Sequence, residues 1–137
     1  MKELLPYARF ARSLGISSYD VCSEIKNHPD DFEVDGYRFI REDEIDEIQQ
    51  DELSGDEYML GCFNAWFLAD VIGVDEDAIT AMQQAEAYEA IGKLILSGGH
   101  LQRLQERYAS ADGYGHHFSH YDGSEEQIGE YLVFRVQ

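Results

Sequence analysis

Positive charge is scarce in this sequence: ten Lys and Arg face 28 Asp and Glu, for a formal net charge of −18. Such an excess repels phosphates, which argues against nonspecific contact with nucleic acid and for a partner with a basic surface. Long apolar runs are also missing. Nothing approaches the roughly 18 consecutive apolar residues that a membrane-spanning helix needs. The N-terminal MKELLPYARFARSLG mixes charges among its apolar residues and has no small-residue cleavage site, so a cytoplasmic protein without membrane contact is expected. The two cysteines, Cys22 and Cys62, form no CxxC pair; lying among apolar neighbours, they are expected to be free buried thiols, joined neither to each other nor to zinc. GxSxG, P-loop and dinucleotide-binding glycine patterns do not occur, so no enzymatic role, catalytic residue or cofactor is expected.

Against these shortages stand 44% hydrophobic residues, nine Tyr and seven Phe, too much apolar surface for a disordered acidic chain and enough for one real core. One compact domain with a semi-separate N-terminal lobe is the expected plan. The charge is uneven along the chain. Residues 1 to 41 hold six basic and seven acidic side chains, a balance of −1, whereas residues 42 to 137 hold four and 21, a balance of −17.

Leu4, Leu5, Ala8, Ala11 and Leu14 recur at helical spacing, with Pro6 suited to a first turn and Gly15 to a C-terminal stop. Ser17 or Ser18 offers an N-cap for a second helix, whose apolar face is Val21, Cys22 and Ile25 and which ends before Pro29. Phe32, Val34, Tyr37 and Phe39 flank Asp35-Gly36, a dipeptide of tight hairpin turns. EDEIDEIQQDEL predicts a third helix with Ile45, Ile48 and Leu53 on one side. Asp56 then caps an apolar helix through YMLGCFNAWFLADVIG, the expected central core helix, where Gly61 permits close packing and Trp66 is buried with Phe63 and Phe67. An exposed edge of Trp66 would instead suit a homodimer contact.

DEDAITAMQQAEAYEAIGKLIL reads as one further helix with Ile79, Met82, Ala85, Ala87, Ile91 and Leu94 in line, ended by Gly98-Gly99. HLQRLQERYAS is a short amphipathic helix with Leu101, Leu104 and Tyr108 inward, and the tail ends in a β-hairpin or strand around Tyr131, Val133 and Phe134. The expected fold class is α+β, mainly helical. It divides into a lobe over residues 1–53 and an acidic helical body over 54–137 with a C-terminal β element, SGDE at 54 to 57 marking the boundary.

Residues 7 to 49, with YARFARSLGISSYDVCSEIK, a hairpin around VDGYRFI and then REDEIDEI, resemble the excisionase and MerR-like winged helix-turn-helix family in order and spacing. The resemblance implies a second helix that enters the DNA major groove and a wing that touches the backbone. It would make Ser17, Ser18, Tyr19, Ser23, Lys26 and Asn27 the groove-facing set, with Arg38 and Arg41 beside the wing. That second helix nevertheless sets Asp20 and Glu24 against one Lys26, and phosphate affinity comes mostly from Lys and Arg, so DNA binding is expected to be weak.

Residues 42 to 57, EDEIDEIQQDELSGDE, hold nine carboxylates and no basic side chain: Glu42, Asp43, Glu44, Asp46, Glu47, Asp51, Glu52, Asp56 and Glu57. One reading is a solvated face that keeps the protein soluble. The other is a fixed array that imitates DNA phosphates and occupies the basic surface of a host protein, itself a handler of nucleic acid. A small, acidic, Tyr-rich helical chain resembles the DNA-mimic antirestriction proteins of phages and plasmids, and the tail DGYGHHF to GEYLVFRV resembles phage and prophage accessory proteins. Those resemblances imply an inhibitor of a defence protein; a DNA-binding transcriptional regulator is the alternative that the winged-helix resemblance carries.

Asp112, His116, His117, His120 and Asp122 fall within eleven residues, a composition that zinc or nickel would accept. The glycines at 113, 115 and 123 and the lack of a completing Cys or His set favour a structural loop, and no metal is expected.

Overall fold

The computed structural model describes residues 3–137. In chain order the elements are α1 (Leu5–Leu14), α2 (Ser18–Asn27), β1 (Asp31–Val34), β2 (Tyr37–Arg41), α3 (Ile45–Ser54), α4 (Glu57–Leu60), α5 (Ala65–Ile72), α6 (Glu76–Gln84), α7 (Tyr88–Ser97), α8 (Leu101–Asp112), α9 (Gly115–Phe118), β3 (Glu126–Ile128) and β4 (Tyr131–Arg135). The protein is α+β and mainly helical, with one antiparallel four-stranded sheet among the described residues.

Two compact units divide the chain. The first joins the residues up to Ile45 to Asp112–Gln137, and the second is Asp46–Ala111. This differs from the division expected between residues 53 and 54. The physical cause is backbone pairing: β4 pairs with β2, Phe39 opposite Val133 and Ile40 opposite Leu132, so the C-terminal hairpin completes a sheet in the order β1-β2-β4-β3. Periodicity marks a strand but does not name its partner.

In the sheet unit, α1 ends at Gly15 in the left-handed conformation with φ 76°, and Ser17 caps α2 by accepting from the Asp20 amide at 3.1 Å. The Ser17 amide donates to Asp35 Oδ2 at 3.0 Å, tying the helix entry to the hairpin turn. That turn has φ 50° at Asp35 and 86° at Gly36, the two left-handed residues of a turn that matches strand twist. Tyr7, Ala11, Val21, Ile25, Phe32, Phe39, Tyr131 and Val133 form the core. Phe32 stacks on Phe39 at 4.8 Å, and Tyr131 meets both rings edge-on. The opposite side of β2 and β4 carries Arg38 and Phe134, beside which α9 sets Phe118.

The helical unit has an aliphatic core of Leu53, Leu60, Leu68, Val71, Ile79, Ile91, Ile95 and Leu104. Two expected helices are each broken here. The segment 58–73 splits into α4 and α5 because Asn64 caps a new start, accepting from the Trp66 amide at 3.1 Å. The segment 75–97 splits at Glu86, a non-glycine residue with φ 59°. The break at residues 61–64 also leaves Cys62 and Trp66 exposed, the latter 59%, where burial was expected for both; Cys22 is half-buried. Gly61 does allow close packing. A Cβ there would overlap the Tyr88 carbonyl, and one on Gly92 would overlap that of Glu57, so α4 and α7 cross backbone to backbone. Among the described residues no helix is long and apolar enough to cross a membrane.

Candidate functional site

The nine carboxylates of 42–57 do not form one open array. Glu42, Asp43 and Glu44 lie in the turn before α3, in the sheet unit, and the other six belong to the helical unit. Arg41 holds Asp43 at 3.2 Å, and Glu42 accepts from the Gln127 side chain. Asp46 accepts from Gln105 Nε2 at 2.9 Å, part of an amide cluster in which Gln105 also donates to the buried Gln49 at 2.8 Å. Asp56 caps α4 through the Met59 amide, and one carboxylate oxygen of Glu57 is buried without a hydrogen-bond partner. Glu47 and Asp51, four residues apart on the outward face of α3, and Glu52 on the same helix are exposed.

A larger acidic region lies beyond that segment. From Glu42 to Gly92 there is no Lys, Arg or His, while 15 Asp and Glu occur. Of the twelve in the helical unit, Asp46, Glu47, Asp51, Glu52, Asp56, Asp70, Asp75, Glu76, Asp77, Glu86 and Glu89 are exposed and Glu57 is half-buried. Asp70 is ion-paired with Arg107 of α8. The signal for this region was in the sequence: the gap between Arg41 and Lys93, which runs well past residue 57. Unit by unit, the sheet unit has 15 acidic and seven basic side chains and the helical unit 13 and three, so the tail's acids remove much of the contrast seen along the chain.

The winged-helix residues meet two fates. Ser17 is a cap, Ser23 accepts from Asn27 at 3.4 Å, and Tyr19, Lys26 and Asn27 are exposed on α2, Tyr19 to 80%, with Ser18 half-buried at its first turn. Arg38 donates Nε and a terminal nitrogen to Asp31 at 2.9 and 2.7 Å and lies 5.1 Å from the Phe118 ring centre. Arg41 contacts Asp43 and, at 3.8 Å, Asp30. Both arginines thus hold the sheet together, and a guanidinium already gripped by carboxylates has little field left for a phosphate. The expected wing is not a free ribbon either, since β4 covers its β2 edge.

No family model, curated protein or solved structure matches the chain.

The histidine-rich segment is a knot of local hydrogen bonds. Glu125 accepts from the amides of Tyr114 and Gly115 at 2.8 and 2.9 Å. Asp122 accepts from the Ser124 hydroxyl and amide and from Ser119, and the Ser124 hydroxyl above all holds its carboxyl below the usual range. His117 packs edge-on against Phe118 at 4.7 Å, and His116 and His120 are exposed. Among the described residues no three His, Cys, Asp or Glu are grouped as metal ligands.

The helical unit also carries a surface aromatic pair. Tyr58 of α4, 54% exposed, lies 5.1 Å from Tyr88 of α7. The Cys62 side chain, and more weakly burial, Tyr88 and Glu86, push the Tyr58 phenol up from its ordinary value.

Proposed function

We propose that the chain is a non-enzymatic, cytoplasmic binding protein of phage or mobile-element type that inhibits a host nucleic-acid-handling protein of defence by occupying its basic surface. The observation that carries this reading is the run from residue 42 to 92 with 15 carboxylates and no cation. Most of these groups sit on a packed helical frame, so little ordering entropy opposes docking, and their summed field speeds encounter with a basic partner.

The test captures proteins from a host lysate on the immobilised chain at about 0.05 and 0.3 M salt, where screening grows strongly. Basic nucleic-acid-binding proteins that leave as salt rises are the expected catch. A variant with Glu47, Asp51, Glu76 and Asp77 changed to Gln or Asn keeps its fold and loses that catch at lower salt. Unchanged capture and salt response in the variant would reduce the acids to a solubilising face.

The DNA-binding regulator remains the second reading, favoured by the helix, Gly15 turn, helix and hairpin that do form in the expected order. Submicromolar, sequence-dependent binding of duplex DNA at about 0.15 M salt would support it over the inhibitor. The charge of the sheet unit, with 15 acidic against seven basic groups, argues for the opposite outcome.

A further inference from the structure

The surface aromatic pair of the helical unit sits where two helices meet backbone to backbone. With Gly61 and Gly92 opposed to backbone carbonyls, α4 and α7 touch without intervening side chains, which fixes Tyr58 relative to Tyr88. Tyr58 nevertheless keeps 54% of its surface open. Tyrosine presented in this way has large contact area and few rotatable bonds, the combination enriched at interface hot spots. Beside the pair, the turn between α6 and α7 holds Glu86 at φ 59°, a position that glycine would occupy without strain, and its exposed side chain stands two residues before Tyr88. Glu89, also exposed, follows on α7; the first cation along the chain after residue 41 is Lys93.

An aromatic face next to carboxylates selects a particular cation. A guanidinium is planar and weakly hydrated, stacks over a ring while donating sideways to carboxylates, and outperforms an ammonium in that geometry. This protein already uses the arrangement internally: the Arg135 guanidinium lies 3.7 Å over Tyr121, and Arg38 pairs with Asp31 beside the Phe118 ring.

We propose that Tyr58, Tyr88 and Glu86 form the docking point for an arginine side chain of the basic partner, with the guanidinium over the Tyr58 face and its N–H groups on the Glu86 carboxylate. The proposal rests on the acidic-binding reading above and deepens it. It separates two roles: the wider acidic surface attracts any polycation, and the tyrosine pair tells arginine from lysine.

Titration of the full chain with oligoarginine and with oligolysine of equal length, followed by NMR at about 0.15 M salt, tests it. Oligoarginine binds about threefold more tightly and shifts the ring signals of Tyr58 and Tyr88. Tyr58→Leu, with an unchanged circular dichroism spectrum, drops oligoarginine to the oligolysine level and leaves oligolysine alone; Tyr58→Phe, which keeps the ring face, retains the preference. Equal binding of the two peptides, or a preference that survives Tyr58→Leu, overturns the docking point and leaves the acidic reading standing. Failure of both peptides to bind overturns both.

Discussion

The two units carry charge of the same sign and use it differently. In the sheet unit several carboxylates serve the fold: Asp31 grips Arg38, Asp35 fixes the Ser17 amide, Glu125 collects two amides, and Asp122 takes three hydrogen bonds from Ser119 and Ser124, while Asp20, Glu33, Asp112 and Glu126 are exposed. In the helical unit Asp56 and Asp75 cap helices and Asp70 meets Arg107, but Glu47, Asp51, Glu76, Asp77, Glu86 and Glu89 are exposed on a surface with few cations. Their cores differ in emphasis: Phe32, Phe39 and Tyr131 pack at the centre of one, and branched aliphatics with Tyr108 among them fill the other. Net charge therefore says little about availability. A carboxylate that accepts from an amide or a guanidinium is a fold component, whereas an exposed one beside other acids is open to a partner.

The contrast breaks most visibly through the cores. Phe39→Ala empties the centre of the aromatic stack and costs about 4 kcal/mol. Hydrogen exchange should accelerate across β2 and β4 and spare α7; equal acceleration in α7 would mean that the two units do not open separately. Gly92→Ala is the counterpart and costs about 2 kcal/mol, because the new methyl meets the Glu57 carbonyl and not a yielding side chain. Urea denaturation should register the loss, with protection falling first in α4 and α7.

Ion pairs sharpen the comparison at smaller scale. Arg38→Gln removes a two-pronged, half-buried contact to Asp31 and costs about 1.5 kcal/mol. Arg107→Gln, at a pair whose side chains are 43% and 48% exposed, costs about 0.5 kcal/mol after solvent screening. Similar losses for the two in thermal unfolding would show that cations serve both units alike.

The smallest effect at neutral pH is alkaline. Burial, with a further push from Tyr7, raises the Tyr131 phenol from 10.0 to about 12, and its hydroxyl donates to the Pro29 carbonyl. The folded state then holds a proton that the unfolded chain releases, so this contribution is complete below pH 10.0 and declines as pH rises to about 12. Tyr131→Phe should flatten the decline in a pH series of unfolding midpoints; an unchanged slope would assign it to other groups.

Local signals were the legible part of the fold. Gly15, Ser17, Asp35-Gly36, Asp56 and Asp75 act where their chemistry says they should, because a cap or a tight turn is decided within four or five residues. Asn64 was readable by the same rule, but the apolar run around it masked the cap. The strain at Glu86 had no comparable cue, since glutamate is an ordinary helix former. At the candidate site, the density of carboxylates was plain in the sequence and their engagement was not. Arg38 and Arg41 read as wing cations until Asp30, Asp31 and Asp43 proved to hold them.

The sequence by itself determined an acidic, mainly helical α+β protein with helices, a hairpin and a C-terminal strand in that order, because composition, period and capping act over short distances. Tertiary structure decided that β4 would lie beside β2 and draw the tail into the first unit, and that two glycines would bring α4 onto α7. It also decided which of the carboxylates are bound and which exposed. Each of those outcomes is a contact between residues far apart in the chain, and the free energy of such a contact depends on the partner, which periodicity does not encode.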